Sequence, residues 1–463
     1  MADHHPVWQA CIEQNAGRAR GTGFRSVMKK EDSLPILNPH AAGIDVGSQK
    51  MFASVGGGAP RVFGSCTADL RELRDWLREQ KVATVAMEAT GVYWLCLFGI
   101  LEEAGMEVIV VNGAHVKSLP GRKSDMQDCQ WLAMLHSRGL LRGGFVPASE
   151  IRRLRDCQRL RSDLVTMAST HVQHMQKALE RLNLKIHTVI SSIIGVSGLA
   201  MIKAIVGGER DAEALLELCD DQILEKKKAA LRKALEGNWQ PEHIFALRMA
   251  LEGWQFYQRQ IQECDAELGA RVAEMAQGEP APELAPKKEL RNNAPKNLPE
   301  LQKHLAQIYG ADLTRIPGLN HYTVMLLLSE VGWEMNRWGG VKQFTAWLGV
   351  APATRQSGKR RRREKRHMGR AGRIFCLAAQ SMAMAKKSWL GSFYRRIRAT
   401  RGGPVAIKAT ARKIAQLFYL VLTKGWDYVE QGIAEYQRRY REGQMRRLKR
   451  LASELGMTLA PTK

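Results

Sequence analysis

The sequence lacks the features that build secreted or membrane-bound proteins. Its eight cysteines are scattered without a C-x-x-C pair, and its histidines do not cluster beyond the adjacent His4 and His5. Zinc sites and disulfide frameworks are therefore unexpected, and a reducing compartment fits the thiols. No apolar run approaches the roughly 18 residues of a membrane span, and the first residues lack the apolar stretch of a signal peptide. We therefore expect a cytoplasmic protein without membrane contact.

Acidic residues are few relative to basic ones. The 70 Lys and Arg against 46 Asp and Glu give a formal net charge of +24, and the excess is concentrated in the run KRRRREKR at residues 359–366. Such a run fits a polyanionic partner, through neutralised phosphates and released counterions. A solvated loop that binds any polyanion is the simpler alternative. Because no aromatic residue interrupts the run, we expect contacts to a nucleic-acid backbone rather than readout of bases. The candidate phosphate-binding residues are Lys359, Arg360, Arg361, Arg362, Arg363, Lys365, Arg366, Arg370 and Arg373.

Four acidic residues carry the clearest chemical signal. Asp45 and Glu88 each end a short apolar run, AAGID and VATVAME, which predicts two strands with a carboxylate at the tip. Asp125 and Asp128 are spaced i, i+3 in KSDMQDCQWLA and share one face of a predicted helix. Taken singly, Asp45 is an ordinary strand end, and Asp125 is a helix N-terminal acid after a Ser124 cap. Together they predict a site for Mg²⁺, two ions in all, and phosphoryl transfer on nucleic acid.

Residues 41–146 alternate in a way that fits this site. The pattern predicts three hairpin-connected strands, followed by alternating helices and strands, which gives a mixed α/β sheet. Asp45 falls on the first strand, Glu88 at the end of the fourth, and Asp125 and Asp128 on the helix after the fifth. An RNase H-like fold would supply this order.

The remainder is mostly helical in pattern. Residues 149–277 predict long helices, either antiparallel or coiled-coil, which favour oligomer contacts over a backbone-binding surface. In the second half, Pro317 and Gly318 separate two helical patterns, as in a helix-hairpin-helix. We divide the chain into an N-terminal extension at 1–40, an α/β domain at 41–148, a helical region at 149–277, a Pro- and Lys-rich linker at 278–300, a second domain at 301–425 and a basic helical tail at 426–463.

The acidic motifs, in this order and spacing, resemble those of DEDD transposases from a bacterial insertion-sequence family that includes Piv-type DNA invertases. The matching segments are GIDVGS, MEATGVYW and KSDMQDCQWLA. The resemblance continues through IPGLNHYTVMLLLSEVG and WLGVAPATRQSGKRRRREKRHMGRAG, and it covers roughly residues 41–425.

The resemblance implies a site-specific recombinase. A RuvC-like RNase H domain would bind Mg²⁺ through Asp45, Glu88, Asp125 and Asp128, followed by a helical insertion and a mainly α-helical transposase domain. A serine in that domain, best matched by Ser357, would attack double-stranded DNA. Members that resemble this chain are directed by a structured noncoding bridge RNA. We expect a homodimer or tetramer.

Other interpretations stay open at this point. Ser357 is otherwise a turn residue in a Ser-Gly loop, and Ser381 is a second candidate that its apolar helical pattern predicts to be packed. A structure-selective endonuclease resembling Holliday-junction resolvases would use the same acids and no serine. A non-enzymatic nucleic-acid scaffold would use the acids only structurally.

Overall fold

The protein forms two compact units, Met1–Val146 and Pro147–Lys463. The computed structural model describes residues 35–113, 125–278, 280–286, 294–295, 298–352, 354–357, 360–363 and 367–459, with the backbone alone at 125–126, 354–357 and 360–363. No helix in these ranges is long and apolar enough to cross a membrane.

The first unit is built on a five-stranded mixed sheet of order β3-β2-β1-β4-β5. Its strands are β1 Ala41–Val46, β2 Lys50–Val55, β3 Arg61–Gly64, β4 Thr84–Glu88 and β5 Glu107–Val111. Strand β1 pairs antiparallel with β2 and parallel with β4; β2–β3 is antiparallel and β4–β5 parallel. The predicted mixed sheet, with three hairpin-connected strands first, is confirmed.

Three helices cover this sheet: α1 Thr67–Glu79, α2 Trp94–Glu103 and α3 Asp125–Ser137. Because side chains alternate along a strand, each strand presents one set of residues to each side. Ile44 and Met87 share a buried apolar cluster with Leu73 and Leu77 of α1 and Leu101 of α2. Helix α3 packs on the opposite side. The unit therefore has a sheet covered on both faces.

The last residues of the predicted N-terminal extension pack on this unit. The Leu37 and Asn38 amides both donate to the Ser137 carbonyl at 2.8 Å, and Asn38 Nδ2 donates to the His136 carbonyl at 2.8 Å. Leu37 and Asn38 thus cap carbonyl groups at the C-terminal end of α3, just before β1 begins.

The second unit begins with two long helices, α4 Ser149–Arg181 and α9 Pro241–Met275. They run antiparallel, since Arg161 of α4 pairs with Asp265 of α9 while His171 lies against Gly253. The chain between them forms α5 Ile186–Val189, α6 Val196–Val206, α7 Ala212–Glu217 and α8 Asp221–Ala234. These share an apolar cluster with the adjoining ends of α4 and α9. The predicted helical region is confirmed as helical.

The rest of the second unit is also mainly helical. Its elements are α10 Leu301–Tyr309, α11 His321–Val331, α12 Val341–Trp347, a hairpin of β6 Thr354–Ser357 and β7 Arg360–Arg363, α13 Arg370–Ser381, α14 Trp389–Arg401 and α15 Gly403–Glu454. Three buried rings meet at its centre: Phe344, Phe375 and Phe418, with centroids 5.6 to 6.3 Å apart. Helix α15 bends at Gly425, whose φ is +81°.

Charged and polar contacts join the helical pair to this region. The Arg159 guanidinium binds both oxygens of Glu330 in α11, at 3.1 and 2.9 Å, and Arg155 donates to the Ser329 and Glu330 carbonyls. Further on, buried Asp312 accepts from the Ala285 amide at 2.7 Å. Part of the predicted linker is therefore fixed on the helical domain that follows it.

Candidate active site

Asp45 and Glu88 lie at neighbouring strand ends. The parallel register of β1 and β4 pairs Gly43 with Ala86 and Ile44 with Met87, and each acid is the next residue. Since alternate residues face the same side, Asp45 points with Gly43, and Glu88 with Ala86. The two carboxylates therefore leave the sheet side by side on the face that carries α3.

Helix α3 lies directly on β1 because residue 43 has no side chain. A Cβ built on Gly43 would collide with the Ala133 nitrogen and lie 2.5 Å from the Cys129 carbonyl oxygen. Any other residue would push the helix away from the strand. The close packing brings Asp128, one position before Cys129, toward the ends of β1 and β4.

The pKa of the Cys129 thiol is affected by two of these carboxylates. Burial raises the pKa of Cys129 to about 11, and the negative charges of Asp45 and, to a smaller extent, Asp128 add to the increase. Both carboxylates thus lie close enough to one buried sulfur to act on it. Strand β1 and helix α3 thus place both acids near the Cys129 thiol.

A polar contact fixes the other end of α3. His136 Nε2 and Thr84 Oγ1 are 2.9 Å apart and both side chains are buried. Burial lowers the pKa of His136, and the charge of Glu107 opposes that shift. The neutral ring therefore holds α3 on β4, two turns beyond Asp128.

Glu88 is buried, with 8% of its surface exposed. A Cβ on Gly113, just after β5, would overlap Glu88 Oε1 and lie 2.7 Å from Cδ. Gly113 thus provides the space that the carboxylate occupies. The Ala89 amide donates to the Val111 carbonyl at 2.9 Å, which holds the backbone after Glu88 against β5.

The donor set fits Mg²⁺ in kind, because carboxylate oxygens are the ligands that hard dications prefer. Asp45, Glu88 and Asp128 come from β1, β4 and α3. Within the side chains that the structure describes, no group of three His, Cys, Asp or Glu residues is arranged to hold a metal ion. Asp125 is the first residue of α3, one turn before Asp128, and its side chain lies outside the described part.

Ser357 ends strand β6 in the second unit, and its backbone pairs with that of Arg360. The sequence suggests an Arg-rich loop here, and this is wrong for residues 360–363, which form β7. Cross-strand hydrogen bonds use the backbone, so consecutive arginines can form a strand whatever their side chains are. The side chains of Ser357 and Arg360–Arg363 lie outside the described residues.

The other basic candidates divide into two groups. Arg370 and Arg373 are exposed on the first turn of α13, while Lys359, Lys365 and Arg366 lie outside the described residues. Ser381 is exposed at the end of α13, where its hydroxyl donates to the Ala378 carbonyl at 2.8 Å. The prediction that Ser381 is packed is wrong, because it lies on the solvent side where the helix ends.

Sequence reasoning missed the residues that bring the acids together. Gly43 and Gly113 make space, and Thr84 and His136 hold α3 in place. A signal for the first of these was present, since Gly43 stands inside the predicted strand AAGID. A glycine within a strand often marks a place where another backbone approaches closely.

Two family models match the chain. A transposase model of the DEDD, IS110 type matches residues 42–184, and a model of the IS116/IS110/IS902 transposase family matches residues 310–395. A search of curated proteins finds no match. The first match contains Asp45, Glu88, Asp125 and Asp128, and the second contains Ser357. The order of the two matches, and the acidic strand ends within the first, lead to one conclusion: the chain belongs to the IS110-type insertion-sequence transposases, which are DNA-recombining enzymes.

Proposed function

We propose that this transposase cleaves and rejoins double-stranded DNA at an RNase H-like site formed by Asp45, Glu88, Asp125 and Asp128, with two Mg²⁺ ions. One observation carries the proposal: α3 packs on β1 at Gly43 and brings Asp128 toward the strand ends that carry Asp45 and Glu88. The strand order β3-β2-β1-β4-β5, with only β2 antiparallel to its neighbours, supports the RNase H-like assignment.

The four acids would act together in holding the metal. Asp45, near the end of the central strand, would hold the two ions together with Glu88, Asp125 and Asp128. Bound Mg²⁺ would neutralise and polarise the scissile phosphodiester. Glu88 is buried at the end of β4, on the strand that pairs in parallel with the strand of Asp45. Gly113 keeps space for that carboxylate without a competing side chain.

Ser357 is the proposed nucleophile. Its Oγ would form a bond to phosphorus as the bond from phosphorus to a deoxyribose oxygen breaks. A base would take the serine proton, and the released oxygen would take up a proton and leave as a hydroxyl. Rejoining would reverse the exchange, with the hydroxyl of a second DNA end attacking phosphorus and the serine regaining its proton. A serine hydroxyl needs a base or a strong field to react. Support comes from its place within the second family match and from its position in the hairpin, paired with Arg360.

A structured bridge RNA is the proposed source of sequence specificity. The net charge of +24 suits recognition of backbone phosphates, and the arginine run carries no aromatic residues to stack on bases. A protein that reads only charge and shape can leave base recognition to pairing.

A homodimer or tetramer is the proposed assembly. The long helical pair presents exposed apolar side chains in addition to its buried seam: Leu160 and Met167 on α4, and Met249 and Phe256 on α9. Large apolar side chains repeated along an exposed helix face favour association. Arg259 lies over the Phe256 ring at 5.9 Å, which places a cation at the rim of that surface.

A cleavage assay tests the catalytic proposal. Wild type, purified with RNA transcribed from the element's flank, should cut DNA carrying the element's end in Mg²⁺, and EDTA should stop it. Asp45→Ala should melt like wild type and leave the DNA intact; cleavage by this variant would refute the acidic site.

Denaturing gels then separate transposition chemistry from hydrolysis. Wild type should leave a protein–DNA adduct that Ser357→Ala does not form. Cleavage without any adduct would favour the resolvase-like endonuclease, in which water attacks. Retained recombination by Ser357→Ala would remove the serine from the mechanism. RNA dependence is read separately, by repeating the assay without the RNA.

A further inference from the structure

The residues directly after Glu88 form an exposed and uncharged surface. Residues 89–93 are all exposed, and Val92, Tyr93 and Leu95 have 68%, 47% and 40% of their surface accessible. No charged residue occurs between Glu88 and Glu102. In a chain with a net charge of +24, residues 89–95 thus place apolar and aromatic side chains, and no cation, directly after Glu88. We call residues 89–95 the apolar rim.

Two adjacent aromatic residues in the apolar rim have opposite roles. Trp94 packs edge-on against Phe98 at 5.6 Å and lies against the core beneath α1 and α2. Tyr93 is turned outward, and within the described part of the chain its hydroxyl makes no hydrogen bond. The core thus fixes the segment through Trp94 and leaves the neighbouring ring to solvent.

The backbone holds the Tyr93 ring close to the turn. Gly91 has a φ of +54°, and a Cβ built on it would lie 3.6 Å from Tyr93 Cε2. The Tyr93 amide faces the Thr90 carbonyl at 3.3 Å. The ring therefore stands on a tight turn that starts two residues after the buried Glu88.

The apolar and aromatic side chains of the apolar rim favour contact with a nucleobase over contact with a phosphate. DNA whose scissile phosphate lies at Glu88 and Asp45 must place the adjoining sugars and bases on the surface around these acids. Phosphates are poorly served by a surface without cations, whereas an exposed ring beside an aliphatic side chain suits the flat face of a base. The apolar rim follows directly in sequence on the acid that the proposed function uses, and the Thr90 amide donates to the Glu88 carbonyl at 3.0 Å.

We propose that Tyr93, supported by Val92, stacks on an unpaired base of the DNA strand next to the scissile phosphate and positions that strand for cleavage. The inference rests on the proposed function of Asp45 and Glu88. It makes Tyr93 a DNA-contacting residue, and it predicts that the enzyme unstacks at least one base at the cleavage point.

The experiment uses 2-aminopurine, whose fluorescence reports stacking, at each position around the mapped cleavage point of the element-end DNA. Full-length Asp45→Ala protein should change the signal at one position without cutting the DNA. Adding Tyr93→Leu should remove that change, and Tyr93→Phe should keep it. Tyr428→Ala is the matched control, because Tyr428 is 56% exposed in the second unit, and it should behave as the unmodified protein.

Cleavage rates complete the test. In the presence of active Asp45, Tyr93→Leu should raise the DNA concentration for half-maximal cleavage by about ten-fold or more, the size of one lost base–aromatic stack, while Tyr93→Phe stays near wild type. Equal rates and equal fluorescence for wild type and Tyr93→Leu would overturn the inference. So would a Tyr93→Leu protein that changes its sedimentation mass but keeps the fluorescence change, since the apolar rim would then bind a second copy.

Failure of the proposed function has a different signature. Wild type itself would then show no Mg²⁺-dependent cleavage that Asp45→Ala abolishes, whatever residue stands at position 93. Wild type, Tyr93→Leu and Tyr93→Phe should have the same melting temperature, since the replaced ring is about half exposed to solvent.

Discussion

The two faces of the five-stranded sheet carry different kinds of side chain from the same strands. On one face, Ile44 and Met87 are fully buried against Leu73 and Leu101. On the other, Gly43 and Ala86 are small, and the next residues outward on that face are Asp45 and Glu88. Alternation along β1 and β4 separates the two sets completely. Large side chains hold α1 and α2 at a distance, while small ones admit the backbone of α3.

The two faces differ in the size of their side chains, and this difference lets α3 approach the sheet on the acidic face only. Apolar burial stabilises the sheet from the face of α1 and α2, with each large side chain contributing about 1.5–3 kcal/mol. The α3 face gives up some of that burial, because Gly43 and Ala86 have little to bury. The backbone of α3 therefore approaches β1 closely, and Asp128 lies near the Cys129 thiol on which Asp45 also acts. We therefore expect the two faces to respond differently to substitution.

The largest effect is expected at Gly43. In Gly43→Val the new side chain would meet the Cys129 carbonyl oxygen and the Leu132 carbonyl carbon, for which Cβ distances of 2.5 and 2.8 Å leave no space. Backbone atoms cannot rotate away, so α3 must move. We expect a loss of about 3 kcal/mol or more in the free energy of unfolding, measured in urea, together with loss of DNA cleavage.

Ile44→Val is the matched control on the opposite face. It removes one methylene from the apolar cluster and should cost about 1 kcal/mol, with cleavage retained. The comparison of the two faces would be wrong if Gly43→Val cut DNA as fast as Ile44→Val.

A smaller and more selective effect is expected at Gly113. The new methyl group in Gly113→Ala would overlap Glu88 Oε1, the far end of a flexible side chain. The carboxylate can rotate away, so the cost in stability should stay below about 1 kcal/mol. Its position would change, however, and cleavage should need a higher Mg²⁺ concentration. A titration of cleavage rate against Mg²⁺ measures this.

Gly99→Ala controls for the loss of a glycine, because a Cβ on Gly99 meets nothing within 4 Å. It should leave the Mg²⁺ titration unchanged. If Gly113→Ala gave the wild-type titration as well, Gly113 would have no part in placing Glu88.

Sequence reasoning reached the strands, the mixed sheet and the positions of Asp45 and Glu88 at strand ends, because these follow from short-range periodicity. It did not reach Gly43 or Gly113, whose importance depends on which backbone or carboxylate lies opposite them in the folded chain. The β6–β7 hairpin was missed for a related reason, since four consecutive arginines carry no strand periodicity. The serine assignment remains a prediction from the resemblance, and the metal assignment remains a prediction from the four acidic residues and the resemblance together.

A pH effect is expected from His136. Burial places its pKa below the ordinary value of 6.5, so the folded state holds the ring neutral while the unfolded chain takes up a proton first. This contribution to stability is complete above pH 6.5 and is lost as pH falls through the lower, folded pKa. Between pH 7 and pH 5, the free energy of unfolding measured in urea should therefore fall more for wild type than for His136→Gln. The glutamine keeps a partner for Thr84 Oγ1. Equal pH dependence would contradict a buried neutral ring.

The smallest effect concerns the Cys129 thiol, whose pKa is raised by burial and by the charges of Asp45 and Asp128. With a pKa of about 11, only about one Cys129 side chain in a thousand is a thiolate at pH 8, and the thiolate is the reactive form. Cys66 and Cys96 are exposed in the same unit, so mass spectrometry should find iodoacetamide on them in the native protein and on Cys129 only after unfolding. Asp45→Asn removes one negative charge but leaves Cys129 buried, and burial is the larger cause of the shift. Cys129 should therefore stay protected in that variant, and alkylation at the rate of Cys66 would show that α3 no longer lies on β1.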